Sequence, residues 1–201
     1  MCEYGNLGSA WCGWHDMLDC TVMHDAYLDR VLVGGQERRE IVIAEYDPAW
    51  VARFEVERGR IVAALGERAL RVEHIGSTSV PGLAAKPIVD ILVEVAALDD
   101  ADGLAGAGYV LRVREERHRM FRTPELDVHV HVWPSGHPDL AAQLAFRDRL
   151  RASAEDRAAY EALKCSLAER DWPDMNHYAD AKGPLIREIL GRARGPGTAA
   201  G

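Results

Sequence analysis

Between two apolar runs the chain carries Gly76-Ser77-Thr78-Ser79, then Lys86, then Asp90. Glycine and small hydroxyl residues let backbone N–H groups approach an anion closely. The chemistry this suggests is phosphate binding by Gly76, Ser77, Thr78 and Ser79, with Lys86 supplying charge. Asp90 lies in an apolar strand, where an unpaired carboxylate is costly and needs a partner. Lys86 could be that partner with no ligand bound, and the hydroxyls could close a turn by capping backbone groups. Downstream, Asp127, His129 and His131 alternate on one face of a strand. Asp90 with His129 and His131, or with Asp127, would hold a divalent ion through mixed oxygen and nitrogen donors. The same histidines could instead pair with carboxylates or cover a sheet face. Asp90, Lys86 and His131 are the candidate catalytic groups, and His74 is a further candidate for the same pocket. Arg122, Arg147 and Lys182 are the cations expected beside a bound phosphate, since guanidinium forks pair with phosphate oxygens. For Arg147 an ion pair between helices is the alternative.

Strands and turns must position these groups. Residues 70–75 alternate and run into the Gly76–Pro87 loop, and residues 88–95 form an apolar strand interrupted by Asp90 and Glu94. Strands are also expected at 41–43, 109–113, 118–123 and 127–133, the last with a valine core face. Asp47-Pro48 starts a helix whose Trp50, Phe54, Ile61 and Leu65 face the core. A second helix is expected over 96–107. From Pro138 the pattern is helical, with stripes through Leu140–Leu150, Tyr160–Leu167 and Tyr178–Ile189, the last kinked or restarted at Gly183-Pro184. Cys165 is expected to pack within its helix, and Tyr178 with Lys182 to close the pocket from the C-terminal helices. The fold class is α/β: a mixed sheet flanked by helices, with a C-terminal helical group.

Gly76-Ser77, then twelve residues, then Asp90 between Val89 and Ile91, resembles the signature of polymerase-beta-type nucleotidyltransferases. That resemblance implies two carboxylates at alternate strand positions holding two divalent ions, Mg²⁺ or Mn²⁺. Here Leu92 stands where the second carboxylate belongs, and Glu94 is about 6.5–7 Å further along the strand. The whole stretch from Glu73 to Ile91 resembles the hallmark of the GrpB family more closely. So do Tyr46-Asp47-Pro48-Ala49-Trp50, His129-Val130-His131-Val132, Leu144-Ala145-Phe146-Arg147-Asp148 and the pair Tyr178 and Lys182. The resemblance spans about residues 40–190. It implies a nucleotidyltransferase-like fold and a nucleotide or other phosphorylated ligand; related domains occur fused to dephospho-CoA kinase. Two functions follow as expectations: a nucleotidyltransferase-like enzyme, or a non-catalytic binding domain that has lost two-metal catalysis.

At 201 residues the chain fits one domain. Residues 1–39 are expected to be a loosely ordered extension, 40–191 the domain, and 192–201 a disordered tail. Cys12, His15, Cys20 and His24 match no standard zinc spacing. A net charge of −8 argues against nucleic-acid binding through bulk charge. No apolar run approaches the roughly 20 residues a membrane span needs. Four cysteines, three in the first 20 residues, form no secreted disulfide framework, so a reducing cytoplasm is expected.

Overall fold

The computed structural model describes residues 21–193, in which helices pack on both faces of one five-stranded sheet. The first helix, α1, spans Thr21–Val31. Helix α2 spans Ala49–Leu65, and Asp47 starts it by accepting a hydrogen bond from the Ala49 N–H (2.8 Å). Trp50, Phe54, Ile61 and Leu65 form its buried stripe, as the spacing predicts. Glu57 lies on that stripe, fully buried and satisfied by Arg60 (2.9 Å), Arg53 (3.3 Å) and the Tyr109 hydroxyl.

The strands are β1 (Arg71–Ile75), β2 (Val89–Val95), β3 (Val110–Arg114), β4 (Arg119–Arg122) and β5 (Val128–Pro134), in spatial order β1-β2-β5-β4-β3. All neighbours are antiparallel except β2 and β5, which run parallel. β2 is covered on both faces, so its sequence is almost continuously apolar. Val89, Ile91, Val93 and Val95 join Val128, Val130 and Val132 in a core under α2. On the opposite face Ile75, Leu92 and Trp133 pack against Leu140 of α4 (Pro138–Ala152). Helix α5 (Ala154–Ala168) starts at a Ser153 cap. It is followed by α6 (Met175–Asp180) and α7 (Gly183–Ala193), so the chain restarts at Gly183-Pro184 and leaves Lys182 at the joint.

Several expected elements differ. Residues 41–43 form no strand; a single bridge joins Ala44 to Ala85. The expected helix at 96–107 is a 3₁₀ turn at Leu98–Asp102 and one α-turn at 103–106, since Gly103, Gly106 and Gly108 oppose a longer run. Cys165 is exposed rather than packed. Residues 21–39 are not loose: Leu28, Val31 and Leu32 pack on Val113 and Met120, and Glu37 ties to the sheet. Arg192, assigned to the tail, lies in the last turn of α7 and pairs with Asp156 (2.6 Å). The side chains of Cys12, His15, Cys20 and His24, and the tail from residue 194, lie outside the described residues.

Candidate functional site

Asp90 stands on β2 opposite Ile75 of β1 and His129 of β5. Gly76 follows β1 with φ +68°, a conformation costly for residues with a side chain. A Cβ there would overlap Asp90 Oδ2 and lie 3.0 Å from the Asp90 Cβ. Glycine is therefore needed for the acid to lie over the loop. The loop itself is one 3₁₀ turn, Ser77–Ser79. Ser79 Oγ donates to the Gly76 carbonyl (2.6 Å), and Thr78 Oγ1 donates to the Ile88 carbonyl (3.2 Å). His74 Nε2, 3.1 Å from Thr78 Oγ1, then donates to it, because the only hydroxyl hydrogen is already given away. Thr78 and Ser79, expected to bind phosphate, thus spend their hydroxyls shaping the loop and are buried. Gly76 and half-buried Ser77 remain at the site, Ser77 hydrogen-bonded to Tyr160. His74 lies on the opposite sheet face, stacked on Phe54 at 4.8 Å, and burial pushes it down to about 4.

The parallel register brings His129 and His131 to Asp90. His129 Nδ1 is 3.4 Å and His131 Nε2 3.6 Å from Asp90 Oδ1, and one donor atom from each of the three residues lies within 4.8 Å of the others. Burial raises the Asp90 carboxyl, but the His129 and His131 rings beside it outweigh burial and hold the group below the usual carboxylate range. Burial lowers His129 against the pull of Asp90. His131 Nδ1 lies 3.3 Å from His118 Nε2, whose Nδ1 lies 3.0 Å from Glu115 Oε2, and the Tyr27 hydroxyl donates to the same carboxylate. His118 is wholly buried, stacked on Trp133 at 4.7 Å, and held at about 4 by that burial.

A two-ion magnesium site does not fit these residues. Leu92 is fully buried in the α4 interface, and Glu94 pairs with Arg71 (3.3 Å). Asp127 does not join Asp90 either; it accepts from Thr123 Oγ1 (2.7 Å) and pairs with Arg53 of α2 (3.2 Å).

Lys86 and Lys182 both approach the Tyr178 ring, their ammonium nitrogens 5.2 and 4.8 Å from its centroid. Burial lowers Lys86, with Asp90 opposing. Burial pushes Lys182 down to about 7, aided by Lys86 and opposed by Asp90. Lys164 approaches the same cluster, donates to the Ala84 carbonyl, and is pushed by burial to about 8. Burial raises Asp180 to about 7, with Lys182 opposing the rise. Lys86 forms no ion pair with Asp90 among the described residues.

The expected arginines are engaged elsewhere. Arg122 makes a two-pronged bond to Glu37 (2.7 and 2.8 Å), which that contact holds at about 2. Arg147 binds Glu73 (2.9 Å), the His74 carbonyl and Asp148. It lines a separate cleft of about 510 Å³ beside edge strand β1, with Phe54, His74 and Arg151. There Arg151 clamps the Ser79 carbonyl with two nitrogens (3.1 and 2.7 Å), so the cleft's guanidinium groups support the loop from behind.

Sequence reasoning missed Tyr27, Glu115, His118 and Lys164. Glu115 sits in a charged turn that reads as solvated, and Tyr27 in a segment that reads as loose. The one available signal was His118, which immediately precedes the strand antiparallel to the one bearing His131.

Comparison with known proteins agrees with this geometry at the level of family. Residues 40–192 match the family described as GrpB protein. The chain is 53% identical over 166 residues to a UPF0157 protein of Streptomyces coelicolor, covering 81% of this chain and 89% of that protein. It is 32% identical over 189 residues to a protein of Mycolicibacterium paratuberculosis named dephospho-CoA kinase, covering 78% of this chain but 46% of that one. The fold is similar to the crystal structure of the conserved protein GrpB from Enterococcus faecalis, with a TM-score of 0.65, 35% identity, and coverage of 76% of this chain and 96% of that one. With its loop, its Asp90 strand and its C-terminal helices all inside the matched region, the chain belongs to the GrpB family.

Proposed function

We propose that this protein binds a small phosphorylated ligand, a nucleotide or a CoA-related molecule, over the Gly76-Ser77 turn. The observation that carries the reading is the pair Lys86 and Lys182 at the Tyr178 ring, two part-buried ammonium groups without an ion-pair partner among the described residues. Burying cations without a counterion is costly, and a phosphate supplies the missing charge. The relative named dephospho-CoA kinase puts CoA and its precursors among the ligands to screen.

A second reading, nucleotidyltransferase-like catalysis, is favoured by one feature: an ionised Asp90 beside those lysines, which a simple anion binder does not need. Against it stands Leu92.

Thermal shifts with nucleotides, CoA and pyrophosphate, each with and without divalent metal, test the proposal. Phosphorylated ligands should raise Tm, and Lys182→Met should weaken them about tenfold, the loss of one charge-assisted contact. Because Lys182 must be protonated to bind, affinity for sulfate, which does not titrate here, should fall as pH rises above about 7. If no phosphorylated ligand shifts Tm, or Lys182→Met binds as tightly, the reading fails. Asp90→Asn separates the two functions: turnover vanishes in an enzyme, whereas a binding domain only changes its affinity.

A further inference from the structure

Asp90, His129 and His131 do not reproduce the two-carboxylate arrangement that the nucleotidyltransferase resemblance implies, yet the separations of both histidines from Asp90 suit a different kind of centre. Three donors bonded to one ion at about 2.1 Å in tetrahedral array stand about 3.4 Å apart. The observed separations from Asp90 Oδ1 are 3.4 Å to His129 Nδ1 and 3.6 Å to His131 Nε2. Two imidazoles and one carboxylate suit a borderline transition ion; Mg²⁺ prefers an all-oxygen shell with several waters.

The hydrogen positions on His131 follow from its neighbours. Glu115 accepts from Tyr27 and from His118 Nδ1. His118, with its hydrogen on Nδ1, accepts at Nε2 from His131 Nδ1–H. His131 therefore turns the lone pair of Nε2 toward the carboxylate oxygen of Asp90. Two lone pairs facing each other repel unless a cation lies between them. A carboxylate behind a histidine is also the arrangement by which metal ligands are oriented and made more basic, here extended by one further histidine.

We propose that Asp90, His129 and His131 form a mononuclear site for a zinc-class divalent ion, with His118 and Glu115 as positioning residues that aim His131. Three protein donors leave a fourth position open for water or a ligand oxygen, as in catalytic rather than structural zinc sites. The site does not rest on the phosphate reading, since its residues are distinct from Lys86 and Lys182.

The test is titration of the metal-stripped full chain, carrying Cys2→Ser, Cys12→Ser and Cys20→Ser so that N-terminal thiols cannot contribute, with Co²⁺ followed in the visible spectrum. One equivalent should bind, be displaced by Zn²⁺, and resist about a thousandfold excess of Mg²⁺. Asp90→Asn and His131→Gln should each weaken binding about 100-fold. Glu115→Gln should weaken it 10–100-fold and alter the Co²⁺ bands at saturation, and Glu115→Asp should recover part of both. His129→Gln carries the same comparison should Asp90→Asn not fold. Absence of a saturable single equivalent, displacement by Mg²⁺ at comparable concentration, or wild-type affinity in the ligand variants would overturn the site. An unchanged spectrum and affinity in Glu115→Gln would overturn the positioning role. Sulfate binding measured in chelator reports separately on the anion pocket, so either idea can fail alone.

Discussion

At position 76 any side chain larger than hydrogen meets the carboxylate of Asp90, and the backbone there holds φ +68°. Gly76→Ala should therefore cost about 2–4 kcal/mol, from the left-handed conformation and from the overlap. It should also displace Asp90, so urea unfolding should show the stability loss and Co²⁺ titration a weakened site. If stability and metal affinity both stay at wild type, the close approach has no consequence. The sequence singled out Gly76 and Asp90, but for phosphate contact and metal binding rather than for each other. That a glycine and an acid fourteen positions apart in the chain touch is set by β1–β2 pairing, which residue types alone do not reveal. Thr78 and Ser79 show the converse: their hydroxyls suggested a ligand, and the backbone carbonyls of Ile88 and Gly76 took them.

Elements explain why the second carboxylate cannot simply be restored. Leu92 shares its sheet face with Asp90 but lies two residues further on, where α4 descends and Leu140 and Trp133 close over it. Leu92→Asp should cost about 3–5 kcal/mol for an uncompensated buried charge and yield no gain in turnover, which chemical denaturation and activity assays would read. A stable Leu92→Asp protein would mean that α4 can yield there. The alternation of Val128, Val130 and Val132 and the stripe of α2 were legible, because each is long and strongly periodic. The run 41–43 was not, because three β-branched or apolar residues in a row do not say whether a neighbouring strand accepts them; here Ala85 offers one bridge. The C-terminal break was half legible: Gly183-Pro184 marked it, but only the structure shows that the joint brings Lys182 to the Tyr178 ring, where Lys86 also lies.

For the whole molecule, burial of neutral histidines makes stability depend on acid. His74 and His118 titrate near 4 in the fold against 6.5 when free. Between those values the unfolded chain binds more protons, so stability rises with pH across the window and is lost as pH falls from about 6.5 toward 4. Each histidine accounts for up to about 3 kcal/mol. Denaturation midpoints at pH 7, 5.5 and 4.5 should fall in step, and His74→Gln should flatten part of the slope; a flat profile would mean that these rings are solvated. No described helix is long and apolar enough to cross a membrane. Residues 21–39, outside the family match, hold the assembly together from one side: Tyr27 reaches Glu115, Glu37 grips Arg122, and the Glu37 N–H donates to Asp174 (2.8 Å), the cap of α6. The parallel pairing of β2 with β5 has a consequence in time. Asp90 belongs to one strand and both histidines to the other, and β3 and β4 intervene along the chain between Val89 and Val128. Closing a seam between such distant segments carries a large loop-closure cost, so we expect it to form late in folding. An ion or ligand held across it would leave the speed of folding nearly untouched and act as a brake on unfolding.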